Sequence, residues 1–526
     1  MDASQVGTTE PRWGTEIVVE DVGGIPYRLY AERPKRLEHL LALAPRWGAQ
    51  PHIVQGDRVL SFDDLIGLVD RKTSELVGLG IGGGDRVFLM GWNSPDYVVN
   101  YWAVLKAGGV PVLVNTWWSE AEVADALELL APVLVLADAR CATKIPGGWA
   151  TGSWETSDAP LAEPVAGPAL IDENAPGVII FTSGTSGKPK AVVLSHRALL
   201  SNLQMLLVMS KRLPHQSPSP DVALHTGPLF HIGGAQAMLR AVTVGNTLVM
   251  PRGRFDPGEL LELVETWKIN RWSAVPTMIS RVLEHPGIGS RDLSSLKAVT
   301  LGGALLHPDL QQRIRTGLPG AEARIATGYG LSENGGQATA ASDGDTVRRP
   351  GTSGRALPLT EVKIVPRAGL PDGEIVIRAP TQMSEYYGVA ETPIDAEGWL
   401  ATGDLGKLDD DGYLWITGRS KELIIRGGEN VAPAAVERAL VAAPAVREAV
   451  VFGLPHADLG EEVAAVVVIE PGASQDAIRQ AVRATLASFS VPSWWRFQED
   501  ALPVNATGKI DKAAVIAEAR AAVTTG

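Results

Sequence analysis

Short, nearly uninterrupted apolar runs alternate with helix-patterned segments over most of the first 350 residues. Residues 86–90, 110–114, 133–136, 271–275, 297–301 and 324–327 are such runs. A strand that reads as continuously apolar is buried on both faces, and strands of that kind separated by helices form a parallel sheet covered by helices. The intervening segments carry helix signals. Ser61 with Asp64 makes a capping-box start, and Leu65, Ile66, Val69, Leu76 and Val77 follow at helical spacing. Ser94-Pro95 opens a second helix that ends near Gly108-Gly109, and Ser119 with Glu122 caps a third that runs to Leu130. Residues 198–209 are helical, and Asp256-Pro257 starts another helix. The expected fold is α/β: a large N-terminal domain of mostly parallel sheets flanked by helices.

The remaining stretches fill in the organisation. Residues 1–50 predict one lead-in strand and one helix, and residues 143–175 and 210–221 predict surface connections. Gly78, Gly80 and Gly83 match G-x-G-x-x-G, but they follow a helix and precede a strand. A dinucleotide fingerprint has the opposite order, so these glycines predict a helix end. From about residue 350 short strand-like runs dominate and predict a small β-rich unit to about residue 420. Beyond it a compact α+β domain of about 100 residues is expected. Its elements are strands near 448–453 and 463–469, a helix near 474–488 and a closing helix from Lys512. The expected domains are residues 1–420 and 421–526, and the chain shows no internal repeats.

Composition narrows the partners. A net charge of −13 argues against nucleic acid or an anionic membrane as the main partner. One cysteine, Cys141, excludes an intrachain disulfide framework and fits a reducing compartment. The N-terminus lacks the basic and apolar parts of a signal peptide, and no apolar run is long enough to cross a bilayer. A cytoplasmic protein is expected; a homodimer and a peripheral membrane contact stay open.

The chemistry concentrates in Thr182-Ser183-Gly184-Thr185-Ser186-Gly187-Lys188-Pro189-Lys190, between two apolar runs. Small residues let backbone N–H groups turn inward and bind anions, while hydroxyls and lysines add donors and charge. A polyphosphate fits such a loop. The spacing is not that of a Walker A loop, and the exit reads as a strand instead of a helix. Two further glycine-rich segments, Gly302-Gly303-Ala304 and Gly328-Tyr329-Gly330-Leu331-Ser332-Glu333, close predicted strands. In open α/β sheets ligands bind beyond the carboxyl ends of the strands, so both segments are expected to face one cleft.

The loop resembles the signature of the adenylate-forming superfamily, which includes acyl-CoA synthetases, peptide-synthetase adenylation domains and beetle luciferases; Ala191 replaces the usual final glycine. Four more segments resemble that family in its order: Tyr329-Gly330-Leu331-Ser332-Glu333; Thr402-Gly403-Asp404; Gly418-Arg419-Ser420-Lys421 with Gly427-Gly428; and Asn505-Ala506-Thr507-Gly508-Lys509. The resemblance implies ATP-dependent activation of a carboxylic acid to an acyl-adenylate with release of pyrophosphate, then thioester formation with CoA. It implies ATP and CoA as co-substrates and Mg²⁺ held by Glu333. Lys188, Lys190 and the residue 182–185 hydroxyls would meet the phosphates, Tyr329 and Gly302–Ala304 the adenine, and Asp404 and Arg419 the ribose and phosphates. Lys509 would stabilise the first transition state. Lys421 would be the hinge about which the small domain turns to bring Gly427-Gly428 to the site.

Pro228-Leu229-Phe230-His231-Ile232-Gly233-Gly234-Ala235 resembles the family's acyl-pocket segment, to which Val275 is added. No acid follows before Asp256, which argues against an amino-acid substrate. The small residues 233–235 leave room in an apolar pocket for a fatty or a bulky alicyclic or aromatic acid. His231 reads equally as pocket gate or core histidine. Asn115-Thr116-Trp117-Trp118 resembles a segment of bacterial fatty-acyl-CoA synthetases. Two alternatives stand beside the CoA ligase: an acyl-AMP ligase that loads a separate carrier protein, and a non-catalytic nucleotide-binding relative.

Overall fold

Strands buried on both faces assemble into two seven-stranded sheets in a computed structural model of the protein. The structure describes residues 11–156, 172–182, 189–216, 221–302, 308–318, 324–367, 372–427, 429–456 and 458–525, and the statements below concern these residues. The first sheet has the spatial order Glu385–Tyr386, Lys190–Ser195, Pro176–Thr182, Val110–Leu113, Arg86–Met90, Leu134–Ala137, Thr151–Gly152. The second runs Arg324–Thr327, Ala298–Leu301, Arg271–Ala274, Val222–His225, Thr247–Met250, Pro51–Gln55, Arg58–Ser61. Each is parallel in its interior and antiparallel at one edge. Parallel pairing sends the carboxyl ends of each sheet's interior strands to the same side, which positions the cleft described below.

Helices cover the sheets as the caps predict. Ser61 Oγ accepts from the Asp64 amide at 3.0 Å while Asp64 Oδ2 accepts from the Ser61 amide at 2.9 Å. Ser119 and Glu122 form the same reciprocal pair at the start of Glu120–Leu130. The helix Pro95–Lys106 is buried along most of its length, with Tyr97, Tyr101 and Trp102 wholly enclosed in the main core. Burial of a large apolar side chain contributes about 1.5–3 kcal/mol, so this layer is a principal source of stability. The glycine run ends the helix Phe62–Gly78: Gly80 and Gly84 take left-handed backbone at φ 87° and 81° and return the chain to Arg86–Met90.

The N-terminal segment differs from expectation. It holds two strands, Ile17–Val22 and Ile25–Tyr30, paired antiparallel, and a 3-10 helix Leu37–Arg46. Gly23 and Gly24 make the two-residue turn at φ 64° and 88°, a conformation that suits the twist of a tight hairpin.

The β-rich unit is a six-stranded antiparallel sheet between Thr339 and Arg419. The C-terminal sheet starts at Ile424 and pairs Ile424–Arg426 with Glu429–Val431 and Gly460–Ile469 with Val446–His456. Its hairpin is longer than the sequence predicts, and it gains a parallel strand, Trp494–Gln498. The helices Gln475–Thr485 and Lys512–Thr525 fall where expected. Pro433–Val441 is an additional helix that packs on Tyr413–Arg419 of the β-rich unit.

Candidate active site

The carboxyl ends of both sheets open into one cleft of about 2740 Å³. Its walls include Thr182 from the first sheet, His225, Ala274, Gly302 and Thr327 from the second, Asp404 and Arg419 from the β-rich unit, and Lys509 from the C-terminal unit. A cleft this size exceeds the several hundred Å³ of an ordinary small-molecule pocket and accommodates more than one substrate.

Glu333 sits on a one-turn 3-10 helix, Ser332–Asn334, enclosed by a small hairpin of Gly330–Leu331 with Gly336–Gln337. Its Oε1 accepts from the Tyr386 hydroxyl at 2.9 Å and from Thr182 Oγ1 at 3.3 Å. Thr182 is the last residue of its strand and pairs in register with Lys190, so the strands on either side of the signature form an antiparallel pair. The Lys190 ammonium lies 4.5 Å from the centre of the Tyr386 ring. Tyr386 was not visible as a site residue in the sequence; it arrives because Glu385–Tyr386 adds a short strand to the edge of the first sheet. Ser183, Gly184, Thr185, Ser186, Gly187 and Lys188 lie outside the described residues, as do Gly303, Ala304 and Gly428.

Asp404 is buried with both carboxylate oxygens engaged. Oδ2 accepts from the Tyr329 hydroxyl at 2.6 Å, and Oδ1 meets Arg419 Nε at 2.9 Å. Thr402 Oγ1 fixes the turn by accepting from the Asp404 amide and donating to the Ile375 carbonyl. Burial and the facing Asp404 carboxylate push the Tyr329 phenol well above its ordinary range, so it stays a donor. Tyr329 is itself largely buried and its hydroxyl is committed, so its ring is held in place.

The glycines at the strand ends divide into two kinds. A side chain at Gly328 would lie 2.2 Å from Gln337 Nε2, and one at Gly330 would lie 2.2 Å from the Gly336 carbonyl oxygen. Close strand packing, not ligand approach, requires glycine there. Among the described residues nothing lies within 4 Å of a would-be Cβ at Gly302, which lines the cleft.

Lys509 is brought in by a tight loop in which the Asn505 amide donates to the Lys509 carbonyl at 2.8 Å. Asn505 Oδ1 accepts from the Thr507 amide, the Thr507 hydroxyl and the Lys509 amide. The loop is seated on the large domain: Thr277 Oγ1 donates to the Gly508 carbonyl, and Gly508 faces Val275 and Met278. Burial, and secondarily the Arg419 charge, lower the Lys509 ammonium pKa. His231, the N-cap of Ile232–Val244, is held neutral with a pKa near 4 by burial and by the Lys509 charge. Lys509, Arg419, Asp404, Tyr329 and His231 thus converge.

The acyl-pocket residues split. Gly233 has open space beyond its Cα, whereas a Cβ at Gly234 would strike Leu229 Cα at 2.4 Å. Ala235 is fully buried in the main core and does not line the cleft, a correction to the expectation that it lines the acyl pocket. The helix turns it inward; Gln236, Ala237 and Arg240 take the cleft face instead. Val275, Asn115, Trp117 and Trp118 line the cleft. Lys421 lies in the exposed turn between Arg419 and Ile424, and Gly427 has φ 58° in the hairpin after it.

The family model described as AMP-binding enzyme matches residues 42–387, and that described as AMP-binding enzyme C-terminal domain matches residues 435–509. The sequence is 33% identical over 509 residues to a 3-[(3aS,4S,7aS)-7a-methyl-1,5-dioxo-octahydro-1H-inden-4-yl]propanoyl:CoA ligase of Mycobacterium tuberculosis, covering 91% of this chain and 97% of that one. It is 32% identical over 476 residues to a long-chain-fatty-acid–CoA ligase of the same organism, covering 86% and 92%. The fold matches an o-succinylbenzoate CoA synthetase of Bacillus subtilis in complex with its acyl-adenylate intermediate, with a TM-score of 0.78, 27% identity and coverage of 90% of this chain and 97% of that chain. The chain belongs to the family of AMP-binding enzymes, in its acyl-CoA synthetase branch.

Proposed function

We propose that this acid–thiol ligase activates a bulky, mostly apolar carboxylic acid with ATP and transfers the acyl group to CoA. The observation that carries the reading is the seating of Lys509 beside Arg419 and His231 in the same cleft as Glu333 and Asp404. In the first step a carboxylate oxygen attacks the α-phosphorus of ATP and the bond to pyrophosphate breaks. Two anions must meet in line, so positive charge at their junction lowers the barrier. Lys509 and Arg419 supply that charge, and the burial of Lys509 makes it count for more than it would in water. In the second step the thiol sulfur attacks the acyl carbon, AMP leaves, and the thiol proton passes to solvent.

The donor set near Glu333 fits Mg²⁺. Among the described residues no three histidine, cysteine, aspartate or glutamate side chains cluster, and a site of one carboxylate completed by phosphate oxygens is what Mg²⁺ takes. When bound, the ion neutralises phosphate charge. Tyr386 and Thr182 orient Glu333 for that role, and Asp404, fixed by Tyr329 and Arg419, presents its remaining acceptor capacity to the ribose hydroxyls.

The acid would lie along Ile232, Gly233 and Ala237 against Leu203, Leu206 and Met209, a wall with room at Gly233. Lys421 serves as the hinge, because the backbone crosses there from the β-rich unit to the C-terminal sheet. The test is pyrophosphate release with MgATP over fatty, aromatic and alicyclic acids, with and without CoA. Acid-dependent release accompanied by an acyl-CoA product supports the reading. ATP binding without release for any acid overturns it, and release with no thioester product moves the acceptor from CoA to a carrier protein.

A further inference from the structure

One wall of the cleft holds polar atoms that an apolar acid would leave stranded. On the helix Ile232–Val244, Gly233, Gln236, Ala237 and Arg240 line the cleft at spacings of three, four and seven residues, so they share one face. Arg240 Nε and Nη2 are shut off from solvent, and among the described residues neither has a hydrogen-bond partner. Gln236 donates from Nε2 to the Leu199 and Gly335 carbonyls at 3.2 Å each, but its Oε1 is buried without a partner one turn before Arg240.

The nearby carboxylate is already committed. Asp221 Oδ2 meets Arg212 at 3.0 Å and Arg271 at 2.9 Å. Arg240 is therefore a third guanidinium beside one shared carboxylate, and the cluster is net positive. Burial and the Arg271 charge push the Arg240 guanidinium down to about 10, which records how poorly its charge is compensated. A buried donor without a partner carries the full cost of its lost hydration. An arginine kept in that condition on a cavity wall fits a guest that supplies the missing acceptor.

The geometry also sets a ruler. Seven residues of helix separate Gly233 from Arg240, roughly 10 Å at the helical rise. Helical side chains lean toward the helix N-terminus, which tips the guanidinium back toward the His231 end of the helix. His231 is the N-cap of the same helix and feels the Lys509 charge, so the reacting end of the cleft lies at that end of the helix.

We propose that Arg240 is a specificity-determining residue that hydrogen-bonds an oxygen acceptor, a carboxylate or a ketone, on the end of the acid remote from its reacting carboxyl group. This rests on the acid-ligase reading above. It restricts the substrate to acids of about ten ångströms or less between the two oxygen-bearing ends, and it excludes a plain hydrocarbon tail as the preferred guest. Gln236 Oε1 would then accept from any hydroxyl beside that group.

The test compares size-matched acids on the full chain: a cycloalkyl alkanoic acid, its ring ketone and its ring carboxylate. Pyrophosphate release is measured for each with MgATP. The wild-type protein is expected to favour the oxygen-bearing acids by at least tenfold in kcat/KM, since sites built to pair a polar group discriminate strongly against its absence. The ketone and carboxylate arms show which acceptor is taken. Arg240→Met is expected to raise KM for the oxygen-bearing acid about tenfold or more, to leave kcat near wild type and to leave the cycloalkyl acid unchanged or improved. Preference of the wild type for the cycloalkyl acid overturns the inference without any variant. Equal loss for all three acids in Arg240→Met also overturns it. Absence of pyrophosphate release with every acid overturns the ligase reading instead.

Discussion

Gly508→Ala probes the seating of the C-terminal loop on the large domain. The residue has φ 77°, and left-handed backbone costs an L-residue about 1 kcal/mol. That component acts wherever the loop lies. The second component acts only when the loop is seated. A methyl on Gly508 would lie 2.4 Å from Met278 Cε and 3.3 Å from Val275 Cγ2. Ordinary carbon contacts lie at about 3.5–4.0 Å, so the Met278 terminus must retreat by about 1 Å. Met278 is buried, and overpacking of that kind costs about 1–2 kcal/mol. The seated pose should therefore lose a factor of about 5–30 in population. Acid-dependent exchange of pyrophosphate into ATP should fall by that factor. Thioester formation from supplied acyl-adenylate should stay near wild type. Adding Met278→Leu, which withdraws the colliding terminus at small cost, should restore most of the exchange rate. Equal loss in both half-reactions, or no recovery with the second substitution, would refute the assignment of this loop to the first half-reaction.

Lys509→Ala should abolish adenylation while sparing thioester formation from supplied acyl-adenylate, and Lys421→Pro should do the reverse; separate assays of the two half-reactions check both. Tyr386→Phe removes the hydroxyl that donates to Glu333 and should raise KM for MgATP about tenfold, the effect of roughly 1.5 kcal/mol in a hydrogen bond to a charged group, with the melting temperature little changed. His52, His225 and His231 are held neutral with pKa values near 4, and His196 near 3, each chiefly by burial. A folded-state pKa below the unfolded value of about 6.5 means the unfolded chain binds the proton first. Stability is then full above that value and falls with acid, by up to about 1.4 kcal/mol per pH unit for each histidine down to its folded pKa. Melting temperature should drop steeply between about pH 6.5 and 4; a flat profile across that window would contradict the buried neutral state of these rings.

The sheets and helices were legible because their signals are local. Capping boxes at Ser61 and Ser119 and continuous apolar strands state both the element and its burial. The small hairpin at Gly23-Gly24 carried its own signal, two glycines between apolar alternations, but the polar residues around it masked the strands. The motif residues were legible by type, and the structure brings Lys509, Arg419, Asp404 and Tyr329 together across more than 170 residues of sequence. Tyr386 and Arg240 were not legible. Tyr386 depends on the edge pairing of a two-residue strand, and Arg240 on which side of one helix faces the cleft. Ala235 was misassigned for the same reason: helical phase, not proximity in sequence, separates it from Gly233.

The loop that carries Lys509 meets Arg419 with like charge, and burial makes that meeting unfavourable by itself. A guest of opposite sign would therefore strengthen a docked arrangement that Thr277, Val275 and Met278 already support through Gly508. A polyphosphate in the cleft would bridge the two cations. As pyrophosphate departs, most of that negative charge leaves and the two cations again oppose each other. On the proposed two-step reaction, the departure of the first product would weaken the seating of the Lys509 loop and so favour the swing of the small domain.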